Sequence, residues 1–341
     1  MTGAVHLIPL TGMGEIRRGD DVGRAIRDAL EQHDPTTGDG APHSRLADGD
    51  VVVVSSKIVA KAEGQTVTPR SGESVAEARE RLTLEHEVLV QTPFVTVVRT
   101  PSGLVCANAG IDASNVAEGS LLLLPTDPDA SAAHIRDGLA DLADVGVVIS
   151  DTFGRAWRDG QTDVAIGVAG LPALRDERGN VDRGGRVLDV TLIALADQIA
   201  GAADLVRDKA AGVPVVVVRG LAVDGAPGTS HDLIRSPAQD LFPHGRGWLA
   251  RRLATGEGVP VRTTEPTEWE WALVVRATGG RLEDRTTLRV TTGYAAGLAE
   301  AALLDFGFAV VVEQHEQVWI VTASGAAGPS DTSNHGDTLR R

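Results

Sequence analysis

The sequence predicts an α+β fold in which mixed and antiparallel sheets pack against helices, with a small α+β unit near the C-terminal end. Three observations predict it. Short β-branched runs, "VVVV" at 51–54 and again at 215–218, have the length of buried strands rather than of helices. Amphipathic helical patterns lie between such runs without a regular strand–helix–strand rhythm, which argues against a doubly wound sheet. Aromatic residues make up 3% of the 341 residues against 42% hydrophobic, so Ala, Val, Leu and Gly must fill the core.

Residues 5–10 (VHLIPL) read as a strand closed by the glycine turn Gly12-Met13-Gly14. Asp20 or Asp21 caps a helix in which Val22, Ala25, Ile26, Ala29 and Leu30 recur at helical spacing. The strand at 51–54 runs into a Ser-Ser turn and a basic segment. A helical pattern covers 73–90, and 95–99 with 104–107 form a strand pair around "TPSG". Next come the strand "LLLLP", the capped helix "DPDASAAHIRDGLADLA" and a strand at 145–150. Beyond a dense polar motif lie the stretch "RDERGNVDRGG", the strand-like "RVLDVTLIAL", the helix "ADQIAGAADLVRDKAAG" and the strand "VPVVVVRG".

A boundary is expected near residue 255, separating 1–255 from a small unit at 256–324 to which no role is assigned. That unit reads as a strand (WEWALVVRA), a helix (GYAAGLAEAALLDFG) and two strands (FAVVVEQ and QVWIVTA). The tail 325–341 has no apolar periodicity and is expected to be disordered.

The balance of 47 acidic against 32 basic residues, net −15, excludes nonspecific binding of nucleic acid or an anionic membrane. A few cations focused in one cleft still suffice for a small anionic ligand. One cysteine, Cys106, excludes an internal disulfide and fits a reducing compartment. With no signal-peptide pattern and no apolar run of spanning length, a cytoplasmic protein is expected.

Chemistry-bearing residues gather in four places. Ser55, Ser56, Lys57 and Lys61 follow a buried valine run, where hydroxyls, loop N–H groups and ammonium charges suit a phosphate, although a solvated strand end reads the same way. Gly12-Met13-Gly14 can bring backbone N–H groups to an anion or serve as a plain turn, and no Walker-type motif is present. Asn108, Asp112 and Asn115 sit among Ala and Gly, as if space were cleared for a ligand, while Cys106 nearby reads as a buried filler.

"VVISDTFGRAWRDGQTDVAIG" (147–167) reads as a loop at a strand end. Its Asp151-Thr152 pair offers hard oxygens for Mg²⁺ or Mn²⁺, with Asp112 as a second carboxylate. Arg155 and Arg158 can clamp an anion. The sequence holds no HExxH and no G-x-S-x-G, so zinc hydrolysis and a serine triad have no support. Carboxylates for a metal and cations for phosphate together point to metal-assisted phosphoryl chemistry on a nucleotide.

The ordered motifs "GMGEIRRGDD", "DGDVVVVSSKIVAKAEG", "VCANAGIDASNV", "SDTFGRAWRDGQTDVAIGVAG", "AADLVRDKAAGVPVVVVRG" and "LIRSPAQDLF" closely resemble the coenzyme F420-0:L-glutamate ligase (F420 gamma-glutamyl ligase) family, over residues 7 to about 247. The resemblance implies an α+β fold particular to that family, a homodimer, and a GTP-dependent ligation of L-glutamate to the lactyl carboxylate of coenzyme F420-0 or its dehydro form. Addition of further γ-linked glutamates is included. It implies Mg²⁺ or Mn²⁺, two ions per site, and leaves room for a monovalent cation.

Carried onto this chain, the resemblance gives Gly12, Met13, Gly14, Glu15, Ser55, Ser56, Lys61 and Asn115 to the nucleotide. It adds Val206, Arg207, Asp208, Lys209, Gly212 and Val213 in a segment closing over it. Asp112, Asp151 and Thr152 become metal ligands. Some family members carry an amide for the second metal where this chain reads Arg207-Asp208-Lys209, so Asp208 substitutes or Lys209 meets phosphate. Arg155 and Arg158 are assigned to the substrate carboxylates or the transferred phosphoryl group. The rival readings are a nucleotide-dependent ligase or phosphotransferase acting on another carboxylate, and a non-catalytic nucleotide-binding regulator.

Overall fold

The computed structural model describes residues 3–32, 45–92, 94–113, 119–207, 212–236, 239–240, 265–305, 308–316 and 318–324. Two compact units divide the chain, Met1–Pro243 and His244–Arg341. The boundary expected near 255 and the tail 325–341 lie outside the described residues.

In the first unit β1 (His6–Leu10) leads to α1 (Val22–Gln32), β2 (Val51–Ser55) and α2 (Ser56–Glu63). Then come β3 (Thr66–Val67), α3 (Val75–Leu84), β4 (Glu87–Gln91), β5 (Thr96–Arg99), β6 (Val105–Ala107) and β7 (Leu121–Leu122). Helix α4 (Pro128–Leu139) precedes the long hairpin of β8 (Gly146–Arg155) and β9 (Arg158–Ala169). β10 (Arg175–Asp176), β11 (Leu192–Ile193), α5 (Leu195–Asp204) and β12 (Val215–Arg219) follow.

The central sheet has the order β1-β12-β2-β8-β9, with β2 and β8 parallel and the other pairs antiparallel. Val52 and Val54 of β2 pack with Ile26, Val59 and Ile135 from α1, α2 and α4. Val51 and Val53 point the other way, into a second core with Leu195, Ile199 and Ala203 of α5. A central strand covered on both faces needs an apolar side chain at every position, which is why its sequence is an unbroken valine run. Smaller sheets, β4-β5-β6 and β3-β7, enclose a satellite core of Ala78, Val98, Ile111 and Leu121.

The mixed α+β class is as expected, and several elements differ. The Ser-Ser turn expected after residue 54 is the first turn of α2, whose Ile58 and Val59 reach the core and which stops at Gly64 in the left-handed region (φ 75°). The helical pattern of 73–90 ends at Leu84, because Val88 and Val90 pair with Val98 and Val97 of β5. Only Leu121–Leu122 of "LLLLP" and Leu192–Ile193 of "RVLDVTLIAL" pair as strand. The motif at 147–167 is no loop: β8 runs on to Arg155 and turns into β9 at Arg158.

Among its described residues the second unit has a sheet of order β13-β14-β16-β15 packed with two helices. Its elements are α6 (Glu268–Thr278), β13 (Arg281–Leu282), β14 (Thr287–Val290), α7 (Gly293–Asp305), β15 (Ala309–His315) and β16 (Val318–Ser324). Trp271, Val274, Leu288, Leu303, Phe308 and Val321 form its core. The segment expected as the strand "WEWALVVRA" is α6. Thr267 and Glu270 cap each other reciprocally at its start, and Trp271 and Val274 are buried at a spacing of three. Among the described residues no helix is long and apolar enough to cross a membrane.

Candidate active site

Strand alternation sorts the end of β8 onto two sides of the sheet. Val147 and Ile149 face the α1/α2/α4 layer and Val148 faces α5. Continuing that period, Asp151 emerges on the α2 side, and Ser150 and Thr152 on the α5 side. A register shift against β9 between Ile149 and Ser150 accompanies this change from apolar to polar, as bulges beside functional sites often do.

On the α2 side the parallel register sets Ser55 beside Ser150, so Ser56, the next residue, meets Asp151. The Ser56 hydroxyl donates to Asp151 Oδ1 at 2.7 Å. One residue on, Lys57 pairs with Asp112. Asp112 is delivered by a turn in which Asn108, Ala109 and Gly110 all take left-handed backbone angles (φ 49°, 55° and 67°), after which it bridges Leu122. Two consecutive non-glycine residues in that region are a local strain of the kind that clusters at functional sites. One helical turn along α2, Lys61 pairs with Glu15 of the glycine turn at 2.7 Å and holds that carboxyl below the ordinary glutamate range.

Burial pushes the Asp151 carboxyl up to about 6, and repulsion from Asp163 adds to this, against the Ser56 hydrogen bond and the Lys57 charge. Cys106 is buried beside it, and burial, reinforced by Asp151, pushes its thiol up to about 12. A thiol so disfavoured as thiolate is a core filler, in keeping with its sequence context.

On the α5 side Asp163 of β9 stands opposite Thr152. It accepts from Thr152 Oγ1 at 2.7 Å through Oδ1, and from Ser150 Oγ at 2.9 Å through Oδ2. Arg207, just past α5, pairs with the same Oδ2 and donates to Ser150 Oγ at 3.0 Å. This pair is deeply buried, with side-chain exposures of 6% for Arg207 and 2% for Asp163. Arg207 Nε and Nη2 find no partner among the described residues, so this wall keeps hydrogen-bonding capacity in reserve.

Both sides open on one cavity of about 1010 Å³. It is lined by Met13, Gly14 and Glu15, by Ser55, Lys57 and Lys61, by Asp151, Thr152 and Asp163, and by Arg207, Gly212 and Val213. Three widely separated stretches expected to meet a nucleotide are thus brought together. Ser56 and Asp112 reach this group through Asp151 and Lys57, while Gly12 flanks it in the glycine turn and Val206 packs into the α5 core. Asn115, Asp208 and Lys209 lie outside the described residues. Arg155 and Arg158 sit at the exposed hairpin end, where Arg155 donates to the Asp159 carbonyl at 2.6 Å, and neither lines the cavity. Sequence pattern does not single out Asp163. Its only signal is its place in the hairpin register, which needs the turn position to be known.

The donors suit a hard divalent cation: carboxylates of Asp112 and Asp151 and the hydroxyl of Thr152. A carboxyl pushed upward by burial is short of compensating positive charge, which a cation would supply. Among the described residues no three His, Cys, Asp or Glu side chains converge as a metal cluster. A cation here would therefore fill its shell with hydroxyl, water or phosphate oxygens, as Mg²⁺ commonly does.

The model of the F420-0:Gamma-glutamyl ligase family matches residues 12–220. The coenzyme F420:L-glutamate ligase of Archaeoglobus fulgidus is 39% identical over 255 residues, covering 70% of this chain and 96% of its own length. Its counterpart in Methanopyrus kandleri is 37% identical over 250 residues, 67% of this chain and 93% of that protein. That of Halobacterium salinarum is 40% identical over 266 residues, 72% and 98%. Every residue lining the strand-end cavity falls inside the family match, and the chain belongs to the F420-0:gamma-glutamyl ligase family.

Proposed function

We propose that this chain is a GTP-dependent ligase that joins L-glutamate to the lactyl carboxylate of coenzyme F420-0 or its dehydro form, with further γ-linked additions, through an acyl phosphate. The observation that carries the reading is the strand-end cavity, in which cations and hard oxygens face one another: Lys57, Lys61 and Arg207 with Asp151, Thr152 and Asp163. Anionic nucleotide and metal-binding oxygens need that juxtaposition, and a site for a neutral ligand does not.

In this reading the F420-0 carboxylate oxygen attacks the γ-phosphorus of GTP, an O–P bond forms, and the bond to GDP breaks. The glutamate amine then attacks the acyl carbon, the C–N bond forms, inorganic phosphate leaves with the C–O electron pair, and the nitrogen loses a proton. Asp112, Asp151 and Thr152 would hold Mg²⁺ or Mn²⁺, which supplies neutralising charge for the phosphate oxygens when bound. Lys61 and the glycine turn orient the phosphates, with Arg207 adding a buried cation to the same wall. Positioning and fixed charge do most of this work, since phosphoryl transfer asks little covalent chemistry of the protein.

The test is GDP release measured with each substrate omitted in turn. Release that needs both L-glutamate and F420-0 supports the ligase. Release with another carboxylate in place of F420-0 would move the substrate assignment, and GTP binding without turnover under any acceptor would sink the catalytic reading.

A further inference from the structure

Asp163 makes every contact expected of a residue that sets another's geometry. Its carboxylate is acceptor-only, so the hydroxyls of Thr152 and Ser150, at 2.7 and 2.9 Å, must turn their protons toward it. The two oxygens have separate roles. Oδ2 neutralises the buried Arg207 guanidinium and accepts a hydrogen bond from Ser150, while Oδ1 accepts one from Thr152. Neutralising Arg207 does not require the second oxygen. Its effect falls on Thr152, a residue that lines the cavity.

We propose that Asp163 is a positioning residue that commits the Thr152 hydroxyl to cation binding. With its proton held by Asp163, Thr152 offers a cation lone pairs only, made more electron-rich by the charged acceptor behind them. An Asn at 163 would carry an NH₂ group that donates rather than accepts on one side. Either Thr152 then turns its proton toward the cavity, or Arg207 and Ser150 lose their acceptor. The inference rests on the reading of Thr152 as a metal contact under the proposed function.

The experiment is a Mn²⁺ titration in the presence of GDP, with free Mn²⁺ read by electron paramagnetic resonance and thermal midpoints recorded alongside. Wild type is expected to bind Mn²⁺, and D163N and T152V each to bind it about tenfold more weakly, the scale of an altered metal-supporting contact. The double variant D163N/T152V should be no weaker than T152V alone, because Asp163 acts through Thr152. D163N binding Mn²⁺ like wild type, or losses that multiply in the double variant, would overturn the assignment while leaving the metal reading intact. Wild type failing to bind Mn²⁺ would remove the metal reading and this inference together. Should D163N not fold because it strands the Arg207 charge, D163N/R207M compared with R207M gives the same readout.

Discussion

Asp151 carries the tension of the site in one side chain. Burial lifts its carboxyl to about 6, from about 3.9 in an unfolded chain. The folded protein therefore holds a proton that the unfolded one has released, and the stability this gives is present below about pH 4 and lost as pH rises through 6. In EDTA at pH 7.5, Asp151→Asn is thus expected to raise the thermal midpoint and to flatten its fall between pH 4 and 7, and in Mg²⁺ to abolish ligation. A midpoint that drops at pH 7.5 would contradict this account of the charge. Lys61 makes a different prediction. Its ammonium reaches the cavity with Glu15 as its counter-charge. Lys61→Ala should raise the KM for GTP by roughly tenfold or more, the scale of a lost charge-assisted hydrogen bond, with a smaller change in the KM for glutamate. At this scale the sequence is partly legible. Ser55, Ser56, Lys57 and Lys61 stand out as a group because they follow a buried run. That Lys57 reaches Asp112 depends on how distant segments meet, and that Asp163 reaches Thr152 depends on hairpin register, neither of which local pattern carries.

The elements that hold these residues are legible where burial dictates composition. Two-sided burial makes β2 and β12 valine runs, and Ile26, Ala29 and Leu30 recur on α1 at the spacing of its buried face. Where composition misleads, local capping decides. α6 is rich in tryptophan and valine, residues that favour strands, yet the reciprocal Thr267–Glu270 cap and the burial of Trp271 and Val274 make it a helix. The hairpin β8–β9 reads as a loop in sequence because its far half is polar and exposed, so no apolar alternation marks it as strand. Its seating on α4 depends on Gly167, where a Cβ would overlap the Pro128 carbonyl at the start of that helix. Gly167→Ala should cost about 1–3 kcal/mol, read as a lower urea midpoint with an unchanged slope. An unchanged midpoint would show that α4 can shift away without cost.

For the whole molecule, the cavity is built from residues between Met13 and Pro214, within the first compact unit, and the family match stops at residue 220. The relatives are covered almost to their full length by 250–266 aligned residues. A chain truncated after residue 255 is therefore expected to keep ligase turnover, and loss of turnover in a folded truncation would assign residues 256–341 a part in the reaction. The net charge of −15 also belongs to this scale, since in a net acidic chain the cations of the cavity are where the anionic nucleotide of the proposed reaction would be drawn. In the proposed reaction the F420-0 carboxylate is activated by the phosphoryl group of GTP and then captured by glutamate. Mass spectrometry after reaction with F420-0 labelled with ¹⁸O in its lactyl carboxylate tests it most directly. The expected product is F420 heavier by one glutamyl residue, with one ¹⁸O appearing in inorganic phosphate for each amide formed. Amide product with phosphate free of label would contradict it.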